Sequence, residues 1–198
     1  MRILVIGAGA IGGWLAGVLA RGGADVSVLA RGATLAELRS DGLTLLHGDR
    51  RETLRLPASD RAADLGKPDA VVLAVKTNGF ADAVASAAAV FAYGPLVVTA
   101  MNGLPWWFLS GHAGPLENQH LEAADPGGRA AALLASASPL AAVVHTSARA
   151  LAPAVIRIHA VDRLVVGQPD GQTSPATAAF ARIVEAGGAP CPISPVIR

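Results

Sequence analysis

Arg2-Ile3-Leu4-Val5-Ile6 runs straight into Gly7-Ala8-Gly9-Ala10-Ile11-Gly12, and few backbones can follow that order of residues. A short continuous apolar run suits a strand buried on both faces. From Ala10 to Arg21 the spacing lengthens to that of a helix, with Ile11, Trp14, Leu15, Val18 and Leu19 on one face and Gly22-Gly23 as its stop. The spacing G-x-G-x-x-G alone carries little weight in a chain with 22 glycines. Between a buried strand and an amphipathic helix it acquires a physical meaning. The first glycine makes the tight turn, the second lets backbone approach a pyrophosphate, and the third lets helix and strand pack closely. The free N–H groups and the positive dipole end of the helix then face the phosphates. Gly7, Ala8, Gly9, Ala10, Ile11 and Gly12 are therefore the first candidates for holding a dinucleotide.

The apolar period keeps switching after this point, as a parallel sheet with covering helices requires. Strands are expected at Asp25 to Ala30, Ala70 to Val75 and Leu96 to Thr99, and a helix at Thr34 to Ser40 with Thr34 and Glu37 forming a capping box. Leu43 to Leu46 and Glu52 to Leu56 flank His47-Gly48-Asp49, which suggests a hairpin at the edge of the sheet. Ala81 to Ala92 reads as a helix, Leu104 to Ser110 as a turn of helix opened by Pro105, and Gly111 to Gly128 as a surface loop. Leu140 to His145, Ala154 to Ile158 and Arg163 to Val166 are three further strand candidates. Ser174 to Ala186 is a helix capped by Ser174 or Thr173. The expected class is α/β: a Rossmann-type doubly wound, mostly parallel sheet with helices on both faces. No internal repeat is visible.

Two apolar stretches, Ile3 to Ala20 and Ala83 to Met101, approach the look of a signal peptide and a membrane span in a chain that is 52% hydrophobic. The glycines of the first and Gly94-Pro95 in the second argue against both, so a cytoplasmic location without membrane contact is expected. A formal net charge of +1 with acids and bases interspersed gives no basic stripe for nucleic acid. Cys191 has no second cysteine to pair with, which fits a reducing compartment. The five histidines are dispersed without ligand spacing, so no metal is expected, and His145 and His159 are taken as structural.

An NAD site places an acid on the ribose at the end of the second strand; this chain has Ala30-Arg31 there, with no carboxylate. Arg31 offers a fork to a 2′-phosphate, which favours NADP(H). Only two lysines occur, and Lys76 sits at the carboxyl end of the strand ending at Val75. Asn102-Gly103 holds the equivalent place after Thr99. Ligands of doubly wound sheets gather at that edge.

These residues resemble a family. GAGAIGG at Gly7 to Gly13, LARG at Leu29 to Gly32, LAVKT at Leu73 to Thr77 and MNGLPWWF at Met101 to Phe108 together look like ketopantoate reductases, or 2-dehydropantoate 2-reductases. The resemblance runs from Met1 to about Gly167 and more loosely to Arg198. It implies an oxidoreductase in which NADPH donates hydride to a 2-oxo acid, ketopantoate giving pantoate for pantothenate biosynthesis. It also implies that Gly7 to Gly12 hold the pyrophosphate, Arg31 the 2′-phosphate, and Lys76 and Asn102 the cofactor as supporting residues, with Asn102 also reaching substrate. Ala148 matches a position whose backbone meets the nicotinamide end. The expected domains are 1–167, binding NADP(H), and 168–198, a last helix and strand starting the connection to a helical substrate domain.

Three departures stand out: Met101 replaces a glutamine, Gly79 replaces a polar residue, and no lysine follows Lys76. The resemblance implies a general-acid lysine in the helical domain, so no catalytic residue is assigned within this chain. Two other readings stay open, a non-catalytic dinucleotide-binding module and a reductase of another 2-oxo acid. A homodimer is compatible with either.

Overall fold

The computed structural model describes residues 1–111 and 114–197; His112 and Ala113, in the stretch read as a surface loop, and Arg198, at the end of the 168–198 segment, lie outside the described residues. Nine strands form one sheet in the order β4-β3-β9-β8-β7-β6-β1-β2-β5. They are β1 Arg2–Ile6, β2 Asp25–Leu29, β3 Leu43–His47, β4 Arg50–Leu54, β5 Ala58–Ser59, β6 Ala70–Leu73, β7 Leu96–Thr99, β8 Ser138–Ala152 and β9 Val155–Gly167. From β8 to β5 every neighbouring pair is parallel, while β8 with β9 and β3 with β4 are antiparallel. The expected edge hairpin is β3–β4, which joins the sheet through parallel pairing of β3 with β9.

Alternation along the central strands divides their side chains between two cores. Ile3, Val5, Val72 and Val98 face helix α1 (Ala10–Arg21) and helix α6 (Pro175–Ala186), packing with Trp14, Leu19, Phe180 and Val184. Leu4, Ile6, Val71, Leu73 and Val97 face the other side, against α3 (Phe80–Ser86), α4 (Ala88–Phe91) and α5 (Arg129–Leu133) through Phe80, Val84, Phe91 and Ala130. Each large side chain so buried contributes about 1.5–3 kcal/mol, and both layers are needed because these strands have no polar face. Ser174 caps α6 as expected, its Oγ accepting from the Thr177 N–H at 3.1 Å.

Several expectations are corrected. Helix α2 is Gly32–Ser40, with Arg31 at its N-cap position and no side-chain cap. Gly32, at φ 57°, starts the turn early and leaves Thr34 inside the first turn, so the capping box does not form. Ala87 leaves helical geometry at φ −115° and ψ 15°, which splits the expected Ala81 to Ala92 helix into α3 and α4. Leu104 to Ser110 forms successive turns rather than helix: Phe108 N–H donates to Pro105 O at 3.1 Å and Ser110 N–H to Trp107 O at 2.9 Å. The loop expected up to Gly128 ends in a short 3₁₀ turn, Pro126–Gly128. The three strand candidates after Leu140 are two long strands of 15 and 13 residues, β8 and β9. Past His145 alternate residues such as Ser147 and Arg149 are exposed, so the apolar run fades while backbone pairing continues through register shifts. The two-residue β5 was not anticipated.

Candidate functional site

The chain leaves β1 for β2 on one side and later fills β6 on the other, so the carboxyl end of β1 is a switch point where a crevice must open. The glycine turn lies in it. Gly7 holds φ 94°, and a Cβ there would stand 2.7 Å from Val75 Cγ1 and 2.9 Å from Ala74 O. At Gly12 it would stand 1.8 Å from Gly7 O. These two glycines let helix, turn and β6 close on one another. Gly9 differs: a Cβ would meet nothing within 4 Å. Its carbonyl takes the first helical bond, from Gly13 N–H at 2.8 Å, and its exposed side opens onto free space at the start of α1. A turn with its outer glycines locked by packing and its middle one open suits a pyrophosphate.

Two clefts meet at this turn, sharing Gly7, Gly9 and Val75. The first, about 370 Å³, also takes in Ala8, Arg31, Thr34, Asp60 and Ser86, with Leu151 arriving from the end of β8 and Pro153 from the β8–β9 turn. Arg31 is exposed at its wall. Asp60 corrects the expectation of a wall without a carboxylate. It follows β5, which pairs with β2 in parallel, so both strand ends deliver a charge to one cleft.

The second cleft, about 610 Å³, takes in Ala10, Ile11, Lys76, Thr77, Asn102 and Val144. Lys76 is exposed, and its ammonium has no hydrogen bond or ion pair among the described residues. Its carbonyl accepts from Gly79 N–H at 2.8 Å, which turns the chain sharply after β6. The Asn102 carboxamide imitates a peptide unit: Nδ2 donates to Val144 O at 3.4 Å and Oδ1 accepts from Val144 N–H at 3.3 Å. It thereby extends the β7–β8 ladder beyond Thr99 and Ala141. One hydrogen of that Nδ2 remains for a ligand.

Lys76 and Asn102 thus come together in one cleft and Arg31 lines the other, with the glycines between. Gly12 lines neither and is buried beneath the turn. Ala148 lines neither cleft; its strand contributes Val144 to one and Ala150 to Ala152 to the other. His145 and His159 are exposed on β8 and β9 away from both clefts. No cluster of potential metal ligands occurs among the described residues, and no helix there is long and apolar enough to cross a membrane. Asp60, Ser86, Val144 and Leu151 were not anticipated. Each reaches the site through strand pairing or helix packing, and no local motif marks it.

A family model described as ketopantoate reductase PanE/ApbA matches residues 3–171. A 2-dehydropantoate 2-reductase of Mesorhizobium japonicum is 36% identical over 199 residues, covering all of this chain and 61% of that protein. A protein of Ralstonia solanacearum whose crystal structure is described as a ketopantoate reductase superposes with a TM-score of 0.92 at 40% identity, over 99% of this chain and 61% of its own. The crystal structure of 2-dehydropantoate 2-reductase from Methylococcus capsulatus gives 0.80 at 25% identity, over 100% and 58%. The chain therefore spans about three fifths of the length of these relatives.

Proposed function

The chain belongs to the PanE/ApbA ketopantoate reductase family, and from that membership we propose that it holds NADPH for the reduction of a 2-oxo acid, ketopantoate to pantoate. The observation that carries the cofactor assignment is the pair of clefts joined at an open Gly9, with Arg31 on the wall of one. The glycine turn and the start of α1 bind the pyrophosphate. Arg31 pairs with the 2′-phosphate, and Ala148 lies on the strand that passes the nicotinamide end. When bound, NADPH supplies a hydride to the keto carbon.

Lys76 and Asn102 work at the reacting end of the second cleft. The Lys76 ammonium offsets negative charge at the substrate carboxylate or developing oxyanion, and the remaining Asn102 Nδ2 hydrogen donates to a substrate oxygen. Val144 keeps that carboxamide oriented, so little is lost in ordering it when substrate binds. The resemblance assigns the proton for the alkoxide to a lysine of a helical substrate domain, and no lysine follows Lys76 within residues 1–198. Acid–base catalysis of that kind is worth about 10²–10⁴-fold.

One observation favours a second reading. Asp60, in the cleft of Arg31, can accept from a ribose 2′-hydroxyl as NAD sites do, which would make NADH an equal cofactor. Thermal stabilisation at matched concentrations decides between the two: NADPH is expected to shift the melting temperature more than NADH. Purified 1–198 is expected to show no NADPH oxidation with ketopantoate by absorbance. Turnover would place the proton donor within these residues and overturn that division of labour.

A further inference from the structure

At the carboxyl end of α1, about 18 Å along the helix axis from the glycine turn, a separate cleft of about 440 Å³ opens between that helix, the β3–β4 hairpin and Gly187-Gly188 after α6. It shares no lining residue with the two clefts at the turn. Its floor is apolar: Leu45 and Ile158, both buried, reach it from the sheet face that packs on α1. Its rim is cationic. Strand pairing sets His47 directly opposite Arg50 and Leu45 opposite Glu52, so all four side chains lie on that same face. Arg51 also lines the opening, and Arg21 enters it from the last turn of α1. Arg21 is held in place, its Nη1 donating to Glu52 Oε2 at 2.7 Å and its Nε to Gly187 O at 3.1 Å. It thereby covers a carbonyl at the negative end of α6 that would otherwise repel an anion. His47, Arg50 and Arg51 are exposed, and their side chains have no hydrogen bond or ion pair among the described residues. Asp49, in the turn between the two strands, pairs with none of them.

Three arginines against one glutamate leave the lining with a formal charge of +2. A phosphate monoester, at about −1.5 to −2 near neutral pH, balances that charge, and its oxygens suit the planar donor fork of a guanidinium. A neutral His47 adds one further N–H. The apolar floor then suits the organic part of the ester, and small-molecule sites combine polar and apolar walls in this way. We infer that this cleft binds a small phosphate monoester, the phosphate between Arg50, Arg51 and the unused donors of Arg21, and the organic part on Leu45 and Ile158. The inference goes beyond the cofactor and substrate reading above and does not depend on it, because the site stands at the other end of α1.

The glycine turn also attracts phosphate, so the test needs a local readout: amide chemical shifts of the nitrogen-15-labelled chain during titration at constant ionic strength. The probes are phenyl phosphate, phenyl sulfate, which carries one charge, and inorganic phosphate, which lacks the organic part. Phenyl phosphate is expected to move the amides of His47 to Glu52 and of Gly187 and Gly188. Phenyl sulfate should bind there about tenfold more weakly, and inorganic phosphate about fivefold more weakly for want of contact with Leu45 and Ile158. Arg50→Gln and Arg51→Gln, both at exposed positions, should each weaken phenyl phosphate at this site by about tenfold and leave any shifts of Gly9 and Ala10 as they were. Glu52→Gln should have the opposite sign, tightening phenyl phosphate about threefold by removing the carboxylate from the rim. Phenyl phosphate shifts absent from the hairpin would overturn the inference, as would binding indifferent to Arg50→Gln and Arg51→Gln, or weakened by Glu52→Gln. Equal affinity for phenyl sulfate would overturn the assignment to a dianion, and equal affinity for inorganic phosphate the assignment to an ester.

Discussion

Gly9→Val and Gly12→Ala separate cofactor binding from folding, although the two positions are three residues apart in one motif. At Gly9 an added Cβ would meet nothing within 4 Å beyond its chain neighbours, and the backbone, at φ −73° and ψ −164°, is extended and open to any residue. Valine there should leave stability within about 1 kcal/mol of the parent. It occupies the space through which a pyrophosphate would touch backbone, so binding should be lost. With NADPH at a hundred times its dissociation constant the parent gains about 2.7 kcal/mol, or about 5–11 °C for a chain of this size. The Gly9→Val melting curve should not move when NADPH is added. Gly12→Ala behaves in the opposite way, because its Cβ would stand 1.8 Å from Gly7 O, a backbone atom that cannot rotate aside. Relief requires α1 to move away from the turn, costing about 3 kcal/mol and lowering the melting temperature of the free protein by about 6–12 °C. The assay is thermal unfolding followed by circular dichroism, with and without NADPH. A folded Gly9→Val chain that still shows the full NADPH shift would refute the assignment of that open space to the cofactor.

Arg31→Ala should weaken NADPH by about 10- to 100-fold, the worth of a charge-assisted hydrogen bond to phosphate, and leave NADH unchanged; equal losses for both in fluorescence titrations would remove Arg31 from the 2′-phosphate site. Gly187→Ala should lower stability by about 2 kcal/mol without touching cofactor affinity, because its Cβ would stand 1.9 Å from Val18 O in the packing of α6 on α1; denaturant titration measures it. Burial, and secondarily Glu185, push the Cys191 thiol from its ordinary 9.0 up to about 12. The unfolded chain ionises first, so this group's contribution is complete below pH 9.0 and is lost as pH climbs towards about 12. At neutral pH a thiol reagent should label the native chain about 10²-fold more slowly than the unfolded one, and equal rates would contradict the burial.

What is carried by neighbouring residues could be read without coordinates. The β1–turn–α1 unit is of this kind, since its apolar run, its three glycines and the helical face from Ile11 to Leu19 are contiguous. So is the Ser174 cap, and so are Lys76 and Asn102, which the ends of two apolar runs place on one sheet edge. Tertiary structure alone decided the features that depend on residues far apart in the chain. Two-residue β5 exists only because β2 offers it a ladder, and with it comes Asp60 in the cleft of Arg31. The far half of β8 has no apolar run, and its strand form is imposed by pairing with β9. Gly22 and Gly187 look like ordinary helix stops, yet each leaves room for a carbonyl of the other's helix region, Ile183 O and Val18 O. The hold of Val144 on Asn102 spans 42 residues, and nothing in the residues around either one announces it. Local propensity acts along the chain over a turn or two, whereas pairing, close approach and burial are properties of which distant segments meet.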